Sequence, residues 1–191
     1  SNLGAVLKEL GQLDDAVSSC KKALAIKPDF AEAHSNLGLA LQELGKLDKA
    51  VASYHKALAI KPDYAEVHNN LGLALAHLGK PEHAFSSYQR ALAVKPDYAL
   101  AHSNLGTALL EMERLDEAVA SFRKVLAFKP NYARAHMNLG VALQELGQLN
   151  EAVSSYREAL AIKPDYVLAG RNLLLGLLYL PGISQEELFT E

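Results

Sequence analysis

The sequence predicts an all-α solenoid assembled from repeated helix-turn-helix units. Three observations predict it. Asn36, Asn70, Asn104, Asn138 and Asn172 recur every 34 residues, each followed by Leu and, in the first four copies, then by Gly. Each interval carries two apolar runs at steps of three and four, the period of an amphipathic helix. A Pro followed by Asp or Asn closes each interval, at Pro28, Pro62, Pro96, Pro130 and Pro164.

Taken in order, Ser1-Asn-Leu-Gly4 aligns with Ser35 to Gly38, so residues 1–28 form a partial unit entered within its first helix. Full units follow at 29–62, 63–96, 97–130 and 131–164. In the first of these, Ala33, Leu37, Leu41 and Leu44 make the apolar stripe of one helix, and Leu47, Ala50, Val51, Tyr54, Ala57 and Leu58 that of the next. Gly45-Lys46 supplies the break between them. Asp29, Asp63, Asp97, Asn131 and Asp165 are expected as N-caps of the first helices, with Glu32 and Glu66 completing a capping box. Lys27, Lys61, Lys95, Lys129 and Lys163 are expected in the last turn of the second helices, where positive charge suits the helix dipole. The prolines then end those helices. Gly38, with the small Ala50 and Ala57, allows close approach of the paired helices, so a large side chain there is expected to overpack the contact. Cys20 occupies the slot of Tyr54 and Tyr88 and reads as a buried small apolar residue rather than a nucleophile.

Residues 165–180 read as a terminal helix, and 181–191 as the start of a truncated following segment. Leu173-Leu-Leu-Gly-Leu-Leu-Tyr-Leu180 is apolar nearly all round, so another surface is expected to cover it. Ser184-Gln-Glu-Glu187 carries the signature of a further helix start.

Composition narrows the function classes. A formal net charge of −3 argues against an electrostatic nucleic-acid binder. No stretch is long and apolar enough to span a bilayer. One cysteine excludes an intramolecular disulfide framework and suits a reducing compartment, so a cytoplasmic location is expected. His34, His68, His102 and His136 lie one repeat apart, too far to share a metal with bonds of about 2 Å. The acidic pairs Asp14-Asp15 and Asp116-Glu117 fall in first helical turns, where the dipole accounts for them. No catalytic constellation, metal site or cofactor is expected.

The repeat landmarks are His34, Leu37, Gly38, Leu41, Ala50, Tyr54, Ala57 and Pro62, then His68, Leu71, Gly72, Leu75, Ala84, Tyr88, Ala91 and Pro96. Later copies keep Leu105, Gly106, Ala118, Phe122 and Pro130, and Leu139, Gly140, Ala152, Tyr156 and Pro164. The chain thereby resembles the tetratricopeptide repeat (TPR) family over residues 1–180. It departs mildly, with His in place of the frequent Trp and Leu in place of the Tyr after Gly. The resemblance implies a right-handed superhelix whose first helices line the concave face. The tail from Asn172 to Phe189 is similar to the junction between TPR array and catalytic region in bacterial SPINDLY-like proteins, relatives of O-linked N-acetylglucosamine transferase. Gly170, where the other copies have His, and Arg171, where two of them have Ser, depart from the repeat at its start. That resemblance implies a parent protein transferring a sugar from a nucleotide donor to Ser or Thr, with a C-terminal catalytic domain beyond Glu191.

Helical spacing places Glu32, Asn36, Leu39 and Glu43 on one stripe beside the core stripe. A carboxamide offers two donors and an acceptor, so it can pair with both polar groups of a peptide backbone. The glycosyltransferase resemblance implies an asparagine ladder of this kind, carried over to Asn36, Asn70, Asn104 and Asn138, with Asn172 and Asn2 at its ends. The alternative is that each Asn bridges neighbouring helices internally. Around the row, Glu32 becomes Glu66, Leu100, Arg134 and Leu168; Ser35 becomes Asn69, Ser103, Met137 and Arg171; Leu39 becomes Leu73, Thr107 and Val141. The expected contacts are therefore the Asn row with Asn69, Leu39, Leu73 and Thr107. The expected function is a scaffold for a protein or extended-peptide partner, the substrate-recognition part of a larger protein O-glycosyltransferase. A self-assembling scaffold with no linked enzyme is the competing expectation. Neither a nucleic-acid nor a membrane partner is expected.

Overall fold

The computed structural model describes residues 12–180. The expectations for Asn2, for the entry at Ser1–Gly4 and for the segment 181–191 lie outside the described residues. Those residues form α1 (Leu13–Ile26), α2 (Ala31–Glu43), α3 (Leu47–Ile60), α4 (Ala65–His77), α5 (Pro81–Val94), α6 (Ala99–Glu111), α7 (Leu115–Phe128), α8 (Ala133–Glu145), α9 (Leu149–Ile162) and α10 (Val167–Tyr179). No strand occurs among them.

Two compact units divide the chain, Ser1–Ala101 and His102–Glu191. In the first, α2 pairs with α3 and α4 with α5, while α1 packs on α2 and α3 on α4. The first helices α2 and α4 also approach each other, whereas the second helices α1, α3 and α5 make no close backbone approach. In the second unit α8 pairs with α9, α7 packs on α8, α9 on α10, and α8 approaches α10.

Residue chemistry explains the pairing. Tyr54, Tyr88, Phe122 and Tyr156 are the largest buried side chains, and each lies against the Gly of its own first helix. A Cβ added at Gly38 would fall 2.5 Å from Tyr54 Cε1, and at Gly106 2.6 Å from Phe122 Cε1. Glycine is thus the seat of an aromatic ring as well as a small residue. The buried hydroxyls find partners: Tyr54 donates to Gln42 Oε1 at 3.1 Å and Tyr156 to Gln144 Oε1 at 3.0 Å. Where Phe122 has no hydroxyl, the residue corresponding to Gln42 is Leu110. Cys20 is fully buried in the same slot, as expected, and burial raises its pKa, so the neutral thiol is favoured.

The hairpin turns follow the Schellman pattern. Lys46 N donates to Leu41 O at 2.8 Å and Gly45 N to Gln42 O at 2.9 Å, with Gly45 at φ +70°.

The helix starts correct one expectation. Phe30, Tyr64, Tyr132 and Tyr166 occupy the N-cap, without a side-chain cap hydrogen bond. Asp29, Asp63, Asn131 and Asp165 stand one residue earlier, and α6 likewise begins two residues after Asp97. The Asp29–Glu32 and Asp63–Glu66 capping boxes therefore do not form. Pro28-Asp29 forms a turn, which leaves the aromatic residue to enter the helix. The preceding Lys covers that ring: Lys27 Nζ lies 5.4 Å from the Phe30 centroid and Lys61 Nζ 4.4 Å from that of Tyr64. Lys27, Lys61, Lys95, Lys129 and Lys163 accordingly sit at the C-cap, one residue past the last turn in which they were expected.

Candidate functional site

The first helices bury one stripe and leave the neighbouring one half exposed. Leu37 and Leu41 of α2 and Leu71 and Leu75 of α4 are in the core. Beside them Asn36 and Leu39, and Asn70 and Leu73, are half-buried, flanked by exposed Glu32, Glu43 and Glu66. In the second unit the same stripe holds half-buried Thr107, Asn138 and Asn172 between exposed Glu111, Arg134 and Glu145. Helical spacing places the Asn positions on this face.

Burial separates the members of the predicted set. Asn69 is only 1% exposed, since its position, shared with Ser35, Ser103 and Met137, faces the core side of the helix. Its Nδ2 lies 3.4 Å from Asn70 Oδ1, a long contact that orients Asn70 rather than reaching outward. Asn104 is 8% exposed.

In the second unit the carboxamides engage neighbouring repeats. Arg134 Nη2 donates to Asn104 Oδ1 at 3.1 Å and approaches Ser103 Oγ at 3.3 Å. Asn138 Nδ2 donates to Thr107 Oγ1 at 3.3 Å, and that hydroxyl donates to Ser103 O at 3.1 Å. One chain of polar contacts thus ties α6 to α8. It commits the Asn104 oxygen and one Asn138 N–H, so these two side chains offer a ligand fewer groups than an isolated carboxamide. The role of Arg134 in this network was not legible from the repeat pattern, because the same position holds Glu32, Glu66, Leu100 and Leu168 in the other copies.

The repeated histidines have a structural duty. His34 Nε2 lies 2.9 Å from Pro28 O, His68 Nε2 2.8 Å from Pro62 O and His136 Nε2 2.8 Å from Pro130 O. A carbonyl can only accept, so the ring nitrogen donates. The signal was present as a fixed spacing of six residues from Pro to His. Among the described residues no cluster of His, Cys, Asp or Glu could hold a metal ion. Burial, then the nearby Glu145 carboxylate, pushes the Tyr156 hydroxyl up to about 12, which keeps it neutral as a donor to Gln144.

No helix among the described residues is long and apolar enough to cross a membrane. α10 nevertheless exposes much apolar surface, with Val167 81% and Tyr179 69% exposed and Leu174 and Leu178 beside them.

Comparison with known proteins gives a consistent picture. A family model described as tetratricopeptide repeat matches residues 69–133 and 103–167, and another, described as TPR repeat, matches 4–45 and 43–79. No curated protein matches the sequence. Among solved structures, that of MamA is 28% identical with a TM-score of 0.79, covering 87% of this chain and 98% of that one. YrrB, described as a TPR protein with an unusual peptide-binding site, is 27% identical with a TM-score of 0.75, covering 88% of this chain and 87% of its own. PilF of Pseudomonas aeruginosa is 27% identical with a TM-score of 0.82, covering 93% of this chain and 79% of its own. None of these three is named as a glycosyltransferase.

Proposed function

Because the chain belongs to the tetratricopeptide repeat family, we propose that it is a scaffold whose first helices hold an extended peptide along the Asn stripe. The observation that carries this reading is the half-exposed carboxamide on the face beside the core stripe, at Asn36 and Asn70 in one unit and at Asn138 and Asn172 in the other. Leu39, Leu73 and Thr107 flank that row and vary the surface the peptide meets. The peptide-binding site of YrrB, a protein similar over most of this chain, supports the same class of ligand.

The test is fluorescence anisotropy with labelled unfolded acceptor peptides. Replacing Asn36 and Asn70 with Ala is expected to weaken binding about tenfold, the loss of roughly 1.4 kcal/mol of paired hydrogen bonding, with little change in thermal midpoint. Unchanged binding together with a large fall in the midpoint overturns the proposal. Asn104 and Asn138 are poorer probes, since their removal also breaks the contacts between α6 and α8.

The finer reading, that the scaffold presents peptides to a glycosyltransferase, is supported by the resemblance of the tail beginning at Asn172. The coding sequence downstream of Glu191 tests it, and a downstream region without a nucleotide-sugar-binding fold overturns it. A second reading, self-assembly, is favoured by the exposed apolar side chains of α10.

A further inference from the structure

The second helices carry a surface that the Asn stripe does not use. Because α1, α3 and α5 do not approach one another at the backbone, grooves remain between them. Between α1 and α3 lies a cavity of about 780 Å³, floored by Leu24, Leu37 and Ile60 and edged by Lys21 and Lys56. Between α3 and α5 lies another of about 400 Å³, floored by Leu58, Leu71 and Leu75 and edged by His55, His83 and Arg90. Ala59 of α3 lines both, so the two cavities flank that helix.

Charge distinguishes this surface from its counterpart in the second unit. There Arg123 of α7 donates to Glu151 of α9 at 3.0 Å, an ion pair that links the two second helices. The repeat register places His55 and His83 at those two positions in α3 and α5, and Lys21 and Lys49 in α1 and α3. Imidazole and ammonium groups thus occupy the register positions that hold opposite charges in the later copy. Among the described residues no carboxylate lines the α3–α5 cavity, and only Asp29 lines the larger one. Among the described residues neither Lys21, Lys56 nor Arg90 forms an ion pair. Apolar floors edged by unneutralised cations select a ligand that brings both apolar side chains and carboxylates. A polyanion such as nucleic acid brings the charge without the apolar groups, and the chain as a whole is net negative.

We propose that the α1–α3–α5 face docks an acidic segment of a partner protein, its apolar side chains in the two cavities and its carboxylates against Lys21, Lys56 and Arg90. This surface is separate from the Asn stripe of the first helices and extends the scaffold reading to a second ligand.

The test uses the full chain and a fluorescein-labelled 14-residue peptide alternating Leu pairs with Glu pairs. Controls are the same peptide with Lys for Glu, an all-Glu peptide and a single-stranded oligothymidine. Saturable binding of the Leu–Glu peptide is expected, weakened at least tenfold by K56E/R90E and unaffected by Asn36→Ala with Asn70→Ala. Both charge-reversal sites are exposed on helices, and circular dichroism verifies their fold. The Leu–Lys peptide is expected to gain affinity for K56E/R90E, a reciprocal swap that loss of folding cannot produce. Equal binding of the Leu–Glu and Leu–Lys peptides, tighter binding of oligothymidine or of the all-Glu peptide, or insensitivity to K56E/R90E overturns the proposal. Loss of binding in the Asn variants instead would place the peptide on the first helices and sink this second site alone.

Discussion

At Gly72 the absence of a side chain lets the Tyr88 ring lie directly on the helix. An added methyl would sit 2.5 Å from Tyr88 Cε1 and 2.7 Å from Cδ1, inside any tolerated contact. Gly72→Ala is expected to lower stability by about 1–3 kcal/mol, read from urea denaturation, and Tyr88→Leu in the same chain should recover part of the loss. Full additivity of the two changes would show that ring and glycine do not communicate. Glu113 presents the opposite case. It stands at φ +56°, where Gly45, Gly79 and Gly147 take φ +70°, +68° and +74° in the other turns. A left-handed backbone costs a residue with a Cβ about 1–2 kcal/mol, so Glu113→Gly is expected to raise the denaturation midpoint; an unchanged or lower midpoint contradicts this. The need for small residues was legible from Gly38 and its copies. Their ring partners were not identified, because a glycine and an aromatic sixteen residues apart meet only once two helices have folded back on each other.

At the scale of the element, the loop between repeats is held from both sides. His68 fastens Pro62 through Nε2, while its Nδ1 is buried and finds no hydrogen-bond partner. Protonation would place an N–H where no acceptor stands. Burial accordingly lowers the His68 pKa from its ordinary 6.5; the Pro62 hydrogen bond and Asp63 oppose this and Arg90 adds to it. With the folded value depressed, the unfolded chain binds the proton more readily, so this contribution is complete above pH 6.5 and is lost as pH falls toward the folded value. Denaturation followed between pH 7.5 and 5.5 should show falling stability, with a shallower slope in His68→Gln. An unchanged slope in the variant would assign the dependence elsewhere. The existence and pairing of the helices were readable from the apolar period. Their starts were not, because Pro-Asp signals a turn as well as a cap, and packing of the aromatic under Lys decided between them.

For the molecule as a whole, α10 presents the clearest expectation. Leu174 and Leu178 are exposed on a helix whose adjacent face holds Leu173 and Leu177 in the core. Removing such side chains from water favours association in proportion to the apolar area buried. Sedimentation is expected to show the average mass rising with concentration and Leu174→Glu with Leu178→Glu shifting the chain toward monomer. A wild-type mass that stays monomeric across concentrations would remove the self-assembly reading. The α1–α3–α5 proposal is independent of that outcome, since that face lies on other helices, whereas the Asn stripe reaches α10 at Asn172.

The amino-acid order alone determined the 34-residue unit, the two helices within it and the buried and half-buried stripes of each, because these follow from side-chain period along one helix. It also located the Asn row and the apolar α10. Contacts between units of the repeat lay beyond its reach. Asn104 held by Arg134, Asn138 held by Thr107 and the basic groove between second helices all arise from residues about one repeat apart or more in the chain. Such groups acquire partners only when neighbouring repeats stack, since distance and burial, on which their hydrogen bonds and charges depend, are properties of the packed chain and not of its local period.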